Sequence, residues 1–475
     1  MKFVNRVYEL KRLEKEYKDR TAKLIIIYGR RRVGKTTLIE KFIEKKESIY
    51  FLAAQEPEQM QIREYKQALS QYLKDEFLEK TDIKTWPELF LYLEKTWPKN
   101  KKIILAIDEI TFIIKQNPSF TSYLQRFWDK FLSKTKTKLI LTGSMVGLMI
   151  RTILSYESPL YGRRTTDMLL EEFSFKESRE FMKNKSIEEQ IRHYSITGGI
   201  PKYLLFIKET ETFREFLLNN IVDKEGFFYR EGMYMLTYEF NEPSTYTNIL
   251  KAISQGNTKL NEVANYTGID SRRLSSYIDI LINLNLVKKI VPVTAKAEKY
   301  RGAIYEITDK YLLFWHKFIQ PNRALIELRK KEELLQQINK NINKHTSKIF
   351  EEISKEHVQQ TKEYRKTGTQ WGKYKGETGK NTYEIDIVAL NEETKEILFA
   401  ECKWQDNVNP EKIIEELIEK AGHVEWNKEE RKEEYALYAK TFKKKISSYK
   451  GKKVYCYGLK DIEKTLNTKK QPSHL

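Results

Sequence analysis

Four runs of apolar residues mark strands in the N-terminal part of the chain. They are LIIIY (24–28), IYFLAA (49–54), IILAIDEI (103–110) and KLILTGS (138–144). Uninterrupted apolar runs are typical of parallel strands covered on both faces, because neither face meets water. The stretches between these runs have helical patterns, so the sequence predicts a parallel α/β sheet over residues 1–170.

The rest of the chain divides into four further regions. In chain order they are a helical stretch, helices followed by a β-ribbon, a Lys/Glu/Asn/Gln-rich helical linker and a compact α/β unit, at residues 171–240, 241–310, 311–345 and 346–475. The helical stretch is broken at TGGIP (197–201), where Gly198 and Gly199 permit unusual dihedral angles. The sequence therefore predicts a multidomain α/β protein.

Residues 241–310 have the spacing of a helix-turn-helix. Three helices are predicted, separated by turns at Gly256 and Gly268, and the third begins near Asp270. The third helix carries an apolar stripe made of Leu274, Tyr277, Ile278 and Leu281. This stripe leaves the opposite face of the helix free for polar contacts.

The segments VKKIVPV (287–293) and AIYEI (303–307) predict a hairpin after the third helix. Helices and hairpin together indicate a winged helix-turn-helix, which in DNA-binding versions places one helix in the major groove. Basic residues lie on the expected edges, at Arg272, Arg273, Lys296, Lys299 and Arg301. DNA is therefore the predicted partner, and protein docking or a purely structural role is the alternative.

The composition also favours a polyanionic partner. The chain of 475 residues has a formal net charge of +19, and such an excess favours nucleic acid. The alternative is a Lys/Glu-rich surface of the thermophilic kind. Two cysteines, Cys402 and Cys456, indicate a reducing cytoplasm. The longest weakly polar stretch, 139–150, is shorter than the roughly 18–20 residues of a membrane span, so no membrane segment is expected.

Residues 29–36, GRRRVGKT, match the pattern G-x-x-x-x-G-K-[ST] between a predicted strand and a predicted helix. In this pattern the glycines let backbone N–H groups face phosphates, Lys35 reaches the β/γ oxygens of ATP and Thr36 ligates Mg²⁺. The predicted ATP-binding residues are Gly29, Arg30, Arg31, Arg32, Val33, Gly34, Lys35, Thr36 and Thr37.

Asp108 and Glu109 end the third predicted strand, as a Walker B acid pair does. We expect Asp108 to hold Mg²⁺ and Glu109 to polarise the attacking water, with Lys35 completing the catalytic set. A helix N-cap is the alternative role for the acids. At the end of the fourth strand, Thr142 or Ser144 is placed to sense the γ-phosphate, and the sequence does not choose between them.

The phrases YGRRRVGKTTL, AIDEI, LILTGSMVGLM, SPLYGRRT and TGGIPKYL together resemble the archaeal-type ATPase family within the AAA+ class. The resemblance covers about residues 1–235 and implies a P-loop NTPase sheet, with an additional strand between Walker A and Walker B, followed by a helical lid. It implies that FVNR (3–6) lies near the adenine. It also makes Arg163 and Arg164 candidates for an arginine that stabilises the transferring phosphate, from the same subunit or a neighbouring one in a homo-oligomer.

FAECKW (399–404) places Glu401 and Lys403 on one face of a predicted strand. Asp386 lies in the preceding strand, YEIDIVAL, and a hairpin would bring it beside Glu401. Two such carboxylates can grip Mg²⁺ while the lysine stabilises a phosphate. Upstream, Glu351 or Glu352 on a predicted helix offers a further metal ligand. A solvated, salt-bridged strand face is the alternative.

This arrangement resembles the PD-(D/E)xK nuclease superfamily, in particular the C-terminal domain that accompanies many archaeal-type ATPases. The matching phrases are WGK (371–373), EIDIV and ECKW, over about residues 345–460, and they imply a restriction-endonuclease-like α/β fold. The whole sequence thus predicts a cytoplasmic ATPase that acts on DNA and couples ATP to a Mg²⁺-dependent nuclease-like domain. The alternative is a nucleotide-switched DNA-binding regulator, or a remodelling scaffold, with a C-terminal domain that does not cut.

Overall fold

The computed structural model of the chain describes residues 3–296, 300–361, 363–376 and 379–468. The chain forms two compact units, which are described separately below. The first unit comprises Met1–Phe173 and Ile200–Lys202, and the second comprises Ser174–Gly199 and Tyr203–Leu475.

The first unit is built around a five-stranded parallel sheet with the order β2-β3-β4-β1-β5. Its strands are β1 (Lys23–Tyr28), β2 (Ser48–Leu52), β3 (Ile104–Asp108), β4 (Lys138–Gly143) and β5 (Thr166–Leu169). Its helices are α1 (Val7–Lys18), α2 (Lys35–Ile43), α3 (Glu58–Leu73), α4 (Glu76–Lys80), α5 (Trp86–Thr96), α6 (Thr111–Gln116), α7 (Phe120–Lys130) and α8 (Val146–Met149). The four predicted strands are confirmed, and β4 lies between β1 and β3. The edge strand β5 was not predicted.

Alternate residues of the central strands feed two different cores, one on each face of the sheet. Leu24 and Ile26 of β1 pack with the core that includes α3, α5 and α7. Ile25 and Ile27 pack with the core that includes α1 and α2. Both faces of the sheet are therefore dry, which explains why the strands read as continuous apolar runs.

The second unit begins with short helices and continues into longer helices and a two-stranded hairpin. The helices are α9 (Phe175–Ser178), α10 (Ile187–Thr197), α11 (Pro201–Leu204, at the boundary of the units), α12 (Phe213–Phe216), α13 (Phe227–Glu239), α14 (Pro243–Ser254), α15 (Leu260–Thr267), α16 (Ser271–Asn283), α17 (Lys310–Phe314) and α18 (Arg323–Glu327). A two-stranded hairpin of β6 (Val287–Ile290) and β7 (Ile304–Ile307) follows α16.

The three helices α14, α15 and α16 and the hairpin lie where the sequence predicted them. Gly268 ends α15 with a φ of 70°, and the Asp270 side chain accepts a hydrogen bond from the Arg272 backbone N–H at the start of α16. Leu274, Ile278 and Leu281 are buried, and Tyr277 of the predicted stripe is half-buried. Lys299, expected on the hairpin edge, lies outside the described residues.

The C-terminal part of the second unit is a six-stranded mixed sheet with the order β12-β13-β11-β10-β9-β8. Its strands are β8 (Lys366–Gly376), β9 (Gly379–Asn391), β10 (Glu396–Lys403), β11 (Lys432–Ala439), β12 (Ser448–Tyr449) and β13 (Lys452–Tyr457), and its helices are α19 (Lys331–Thr361), α20 (Pro410–Gly422) and α21 (Leu459–Asn467). Helices α19 and α21 pack on one face of the sheet and α20 packs on the other. The boundary expected between residues 345 and 346 falls inside α19.

The segment after β6 is attached to the mixed sheet rather than standing free. The Val293 backbone N–H donates to the Thr369 carbonyl at 3.1 Å, and Thr294 donates to the Gln370 side chain at 3.0 Å. Lys288 of β6 forms a salt bridge of 3.2 Å with Glu352 of α19. One face of the hairpin is therefore occupied by contacts within the unit.

Among the described residues, no helix combines the length and the apolar character that a membrane crossing requires.

Candidate functional site

The phosphate-binding loop between β1 and α2 has backbone torsions that glycine adopts readily. Gly29 has a φ of 155°, and a Cβ at this position would collide with the Leu170 carbonyl oxygen. Gly34 has a φ of 93° and precedes the first residue of α2. The loop therefore ends at a helix N-terminus, where the helix dipole favours an anion.

Lys35 begins α2 and is buried. Its ammonium donates hydrogen bonds to the carbonyls of Gly29 at 2.9 Å and Arg30 at 3.0 Å. The same nitrogen lies 4.0 Å from the Glu109 carboxylate. The lysine is thus held inside the curve of the loop, with its charge next to the acid at the end of β3.

Asp108 is fully buried and joins three elements. Its Oδ2 accepts hydrogen bonds from the Thr36 hydroxyl at 2.7 Å and from the Tyr50 hydroxyl at 2.8 Å. Its Oδ1 accepts a hydrogen bond from the Thr142 hydroxyl. Burial and the neighbouring Asp108 carboxylate raise the pKa of Tyr50, which therefore stays a neutral donor. Tyr50 was not predicted as a site residue, because a tyrosine in a strand is ordinary.

Glu109 follows Asp108 with a left-handed φ of 55°. Its Oε2 accepts hydrogen bonds from the Ser144 backbone N–H at 3.0 Å and the Ser144 hydroxyl at 2.7 Å. Thr142 therefore contacts Asp108, and Ser144 contacts Glu109. A left-handed backbone at a residue other than glycine is uncommon and marks a constrained position.

Arg6 fixes the back of the phosphate-binding loop. It donates hydrogen bonds to the Val33 carbonyl at 3.0 Å and the Glu171 carbonyl at 2.6 Å, and its guanidinium lies 4.3 Å from the centre of the Phe173 ring. The Val33 side chain is buried in the core beneath the loop. FVNR therefore contacts the loop through its arginine.

The remaining predicted ATP-binding residues lie on or near the loop. Arg31 and Thr37 are exposed, and Arg30 and Arg32 are partly buried. Arg32 has a left-handed φ of 71°.

Arg163 and Arg164 are engaged away from the loop. Arg163 donates a bidentate pair of hydrogen bonds to Asp129, at 3.0 and 2.8 Å. Arg164 forms a salt bridge of 3.1 Å with Asp167 and donates to the Leu154 carbonyl at 2.8 Å. A role for either arginine on a phosphate requires that it leave these partners.

In the second unit, Asp386 and Glu401 come together on adjacent antiparallel strands. The last registered pair of β9 and β10 is Ile387 with Ala400, and the two acids are the next residue on each strand. Asp386 Oδ2 accepts a hydrogen bond from the Cys402 backbone N–H at 2.8 Å. The structure therefore contains the predicted pair of antiparallel strands, and it places Asp386 and Glu401 next to one another at the end of the registered pairing.

Burial and mutual repulsion raise the pKa values of two acids in this cluster. Burial, and then the Glu401 charge, raise the pKa of Asp386 to about 6. Burial, and then the Asp386 charge, raise the pKa of Glu351 to about 8. Acids that resist ionisation beside a third carboxylate form a site of negative potential, and a cation would relieve the repulsion.

Glu352, the alternative to Glu351, has other partners. It forms salt bridges of 3.2 Å with both Lys288 and Lys310. Burial opposes ionisation of Glu352, but the two lysines outweigh it and lower its pKa to about 2. Of the two adjacent glutamates, the one that interacts with Asp386 is therefore Glu351.

Glu401 is buried and paired with two lysines. Its carboxylate accepts hydrogen bonds from Lys403 at 2.9 Å and from Lys420 of α20 at 3.1 and 3.2 Å. The sequence did not indicate Lys420. Across the residues that the structure describes, no group of three or more His, Cys, Asp or Glu side chains is arranged to hold a metal ion.

The carboxylate cluster opens into a cleft of about 1100 Å³ within the second unit. Its walls come from the end of α14, the hairpin, the segment after α17, helix α19 and the strands β8 to β10. Of the carboxylate cluster, Glu351 and Asp386 line this cleft, and Lys403 lines it as well. Elsewhere in the unit, Arg272 and Arg273 are exposed in the first turn of α16.

Two families match the chain. The family described as "ATPase domain predominantly from Archaea" matches residues 3–207, and a family described as "Archaea bacterial proteins of unknown function" matches residues 315–414. The Walker-type ATPase PABY2304 of Pyrococcus abyssi matches 66% of this chain and 96% of its own, with a TM-score of 0.50 at 20% identity. This likeness shows the fold.

The uncharacterized protein MJECL04 of Methanocaldococcus jannaschii is 32% identical over 474 residues, which are 97% of this chain and 100% of that protein. The uncharacterized ATP-binding protein MJ0423 of the same organism is 61% identical over 44 residues, or 9% of this chain and 75% of that protein. Fold and site define an ATP-binding P-loop ATPase with a C-terminal mixed-sheet region. The chain belongs to the same family as MJECL04, and its residues 3–207 match the archaeal ATPase domain.

Proposed function

We propose that this archaeal ATPase acts on DNA and couples ATP to a Mg²⁺-dependent, nuclease-like site in its C-terminal region. The observation that carries the proposal is that Asp386, which lines a cleft, lies next to Glu401 on the neighbouring strand, with Glu351 repelled by Asp386 and Lys403 hydrogen-bonded to Glu401. Acids at such spacing with a lysine are the side chains that two-carboxylate phosphodiesterases use.

In the nucleotide site, Lys35 binds the β/γ-phosphates and Glu109 orients the attacking water. The Thr36 hydroxyl and the Asp108 carboxylate are both oxygen ligands within 2.7 Å of one another, which suits the preference of Mg²⁺ for oxygen. When bound there, Mg²⁺ neutralises charge that develops on the phosphates. Ser144, the residue that follows β4, donates a hydrogen bond to the Glu109 carboxylate and holds it in place. A movement of Glu109 would therefore be transmitted to the end of β4 through Ser144.

In the C-terminal site, the carboxylates of Asp386, Glu401 and Glu351, all among the described residues, are not arranged around a common point for a metal ion. To hold Mg²⁺ they would have to converge, with Glu401 released from Lys420, and Lys403 would stabilise the phosphate under attack. When bound, Mg²⁺ would lower the pKa of a coordinated water. The helix-turn-helix region supports DNA as the substrate, because α16 presents Arg272 and Arg273 in its exposed first turn. We extend the proposal to a winged helix-turn-helix, a restriction-endonuclease-like sheet, and assembly with further copies of the chain in which Arg163 or Arg164 could reach a neighbouring nucleotide.

The test is Mg²⁺-dependent cleavage of linear, nicked and branched DNA, with and without ATP, by wild type and Asp386→Ala. Cleavage by wild type alone is the expected result. Equal cleavage by both proteins, or none by either on any substrate, contradicts the nuclease-like assignment. If Lys35→Ala hydrolyses ATP as fast as wild type, the nucleotide half of the proposal is wrong.

A second candidate is a nucleotide-switched DNA-binding regulator, or a remodelling scaffold, whose C-terminal site does not cut. One observation favours it: Glu401 is already neutralised by Lys403 and Lys420. DNA binding that ATP modulates, together with no metal in Mn²⁺-soaked crystals, would support the regulator. Negligible and salt-insensitive DNA affinity would support the scaffold.

A further inference from the structure

Helix α19 presents a row of polar side chains along the cleft that reaches Asp386. The row consists of residues spaced three or four apart, namely Gln337, Asn341, Lys344, Lys348, Glu351 and Lys355. Residues at this spacing share one face of a helix. Glu351 belongs to the row and interacts with Asp386. The residues of the row that precede Glu351 therefore extend along the cleft away from the carboxylate cluster.

Lys317, in the helical segment after α17, lines the same cleft and lies close to the row. Burial and the positive charges of Lys344 and Lys348 lower the pKa of Lys317. Lys348 is paired with Glu306 at 2.6 Å. Within the described part of the chain, neither Lys317 nor Lys344 forms a salt bridge with a carboxylate. Lysines that repel one another inside a cleft are stabilised when an anion binds between them.

The distance between the lysines and the acids suits a strand of nucleic acid. Lys344 and Glu351 are seven residues apart on one helix, which corresponds to about 10 Å along its axis. A stacked strand advances about 3.4 Å per nucleotide, so this span covers about three nucleotides.

We infer that Lys317, Lys344 and Lys348 form a phosphate-binding subsite for a single DNA strand, about three nucleotides from the phosphate held at Asp386. The inference rests on the proposed nuclease-like function. The cleft volume of about 1100 Å³ is close to the upper end for small-molecule pockets, which run to about 1000 Å³. It therefore accommodates a few nucleotides of one strand but not a duplex. Asn322 and Asn341 line the same cleft and offer amide donors and acceptors.

The test measures binding of a short fluorescent single-stranded oligonucleotide, over a range of salt concentrations, by the full chain and by the double variant Lys317→Glu/Lys344→Glu. The expected result is a loss of affinity of at least about tenfold. A plot of the logarithm of the association constant against the logarithm of the salt concentration has a negative slope. The magnitude of this slope should decrease by about 1.4, because each lost phosphate contact removes about 0.7 on a single strand. Lys344→Gln alone should give about half that change in slope. This single variant replaces the double variant in the test if the double variant does not fold.

Lys340→Glu is the matched control, because Lys340 is exposed on the same helix and does not line the cleft. If the cleft variants retain the affinity and the salt slope of Lys340→Glu, the subsite is wrong. A duplex of the same sequence should lose less affinity than the single strand, and an equal or larger loss for the duplex overturns the single-strand assignment.

The outcomes separate this subsite from the function on which it rests. If wild type neither binds nor cleaves DNA, the proposed function fails and the subsite fails with it. If wild type cleaves in an Asp386-dependent way while the lysine variants behave like Lys340→Glu, the subsite alone is overturned.

Discussion

Thr36 donates a hydrogen bond of 2.7 Å to Oδ2 of Asp108, which joins the phosphate-binding loop directly to the acid end of β3. Tyr50 of β2 donates to the same oxygen at 2.8 Å. The two motifs that the sequence shows far apart are therefore one hydrogen-bonded cluster around a buried carboxylate. Removing the charge from that carboxylate should affect nucleotide chemistry more than it affects folding.

We expect Asp108→Asn to reduce ATP hydrolysis by about 100-fold or more, since the charge that would hold Mg²⁺ is lost while the side-chain shape is kept. The measurement is steady-state phosphate release. Asp82→Asn is the control, because Asp82 pairs with Lys84 on the surface. Equal rates for the two variants would contradict the role of Asp108.

Arg6→Ala should weaken ATP binding about tenfold and lower the Tm, because the carbonyls of Val33 and Glu171 lose their donor. Loss of the buried bond to Val33 costs about 1–3 kcal/mol. Arg6→Lys should be intermediate, because an ammonium lacks the planar fork that reaches both carbonyls. Titration with a fluorescent ATP analogue and a thermal melt measure the two effects. Unchanged ATP affinity in Arg6→Ala would show that the loop does not depend on this arginine.

Glu351→Gln and Glu352→Gln are adjacent substitutions for which we expect opposite effects. Glu351→Gln should weaken Mn²⁺ binding and leave the free energy of unfolding little changed, because it removes a repelled charge. Glu352→Gln should lower the free energy of unfolding by about 2 kcal/mol and leave Mn²⁺ binding intact, because it breaks salt bridges to Lys288 and Lys310. Calorimetric Mn²⁺ titration and denaturant unfolding measure these effects, and the reverse pattern would mean that Glu352 is the ligand.

Lys420→Met should tighten Mn²⁺ binding about tenfold, because Lys420 competes for both oxygens of Glu401. Lys412→Met on the same helix is the control for changing a lysine, since Lys412 is exposed. Unchanged Mn²⁺ affinity in Lys420→Met would mean that Glu401 is not a metal ligand.

His345 should make the stability of the second unit sensitive to acid. It donates from Nε2 to the Ser195 carbonyl at 2.7 Å, and burial, assisted by Lys317 and Lys348, lowers its pKa to about 4. Its pKa in the unfolded chain is about 6.5, so its contribution is complete above about pH 6.5 and is lost as the pH falls through about 4. The contribution is about 3 kcal/mol.

The measurement is denaturant unfolding at a series of pH values from neutral to acid for wild type and His345→Gln. The glutamine amide can donate to the Ser195 carbonyl but does not titrate. Its free energy of unfolding should therefore fall less than that of wild type over this range, and identical pH dependence in the two proteins would contradict the prediction.

The phosphate-binding loop and the acids of β3 could be predicted because their chemistry is local in the sequence. The order of residues 29–36 sets the loop, and Asp108 ends an apolar run. The edge strand β5 was missed because Thr166–Leu169 is short and alternates buried and exposed residues, so it lacks the continuous apolar signal of the inner strands.

The partners within the C-terminal site could not be predicted, because they depend on packing between elements. Glu351 and Glu352 are neighbours in sequence, and only the orientation of α19 on the sheet directs one to Asp386 and the other to Lys288 of the hairpin and Lys310 of α17. Lys420 reaches Glu401 from a helix on the other face of the sheet. Lys288 resembles a surface cation in the sequence, but in the structure it joins the hairpin to α19 through its salt bridge with Glu352.

Helix α19 runs without interruption for 31 residues, which corresponds to about 46 Å. Leu334 and Ile338 are buried in its first half, and Ile349, Phe350 and Ile353 are buried in the core beneath the sheet. The family match at residues 315–414 likewise includes the whole helix. The C-terminal sheet therefore folds only with α19 attached to it, so a gene fusion that moves the sheet must also move this helix. A protease that cuts α19 should unfold both the C-terminal sheet and the helices that pack on the first half of α19.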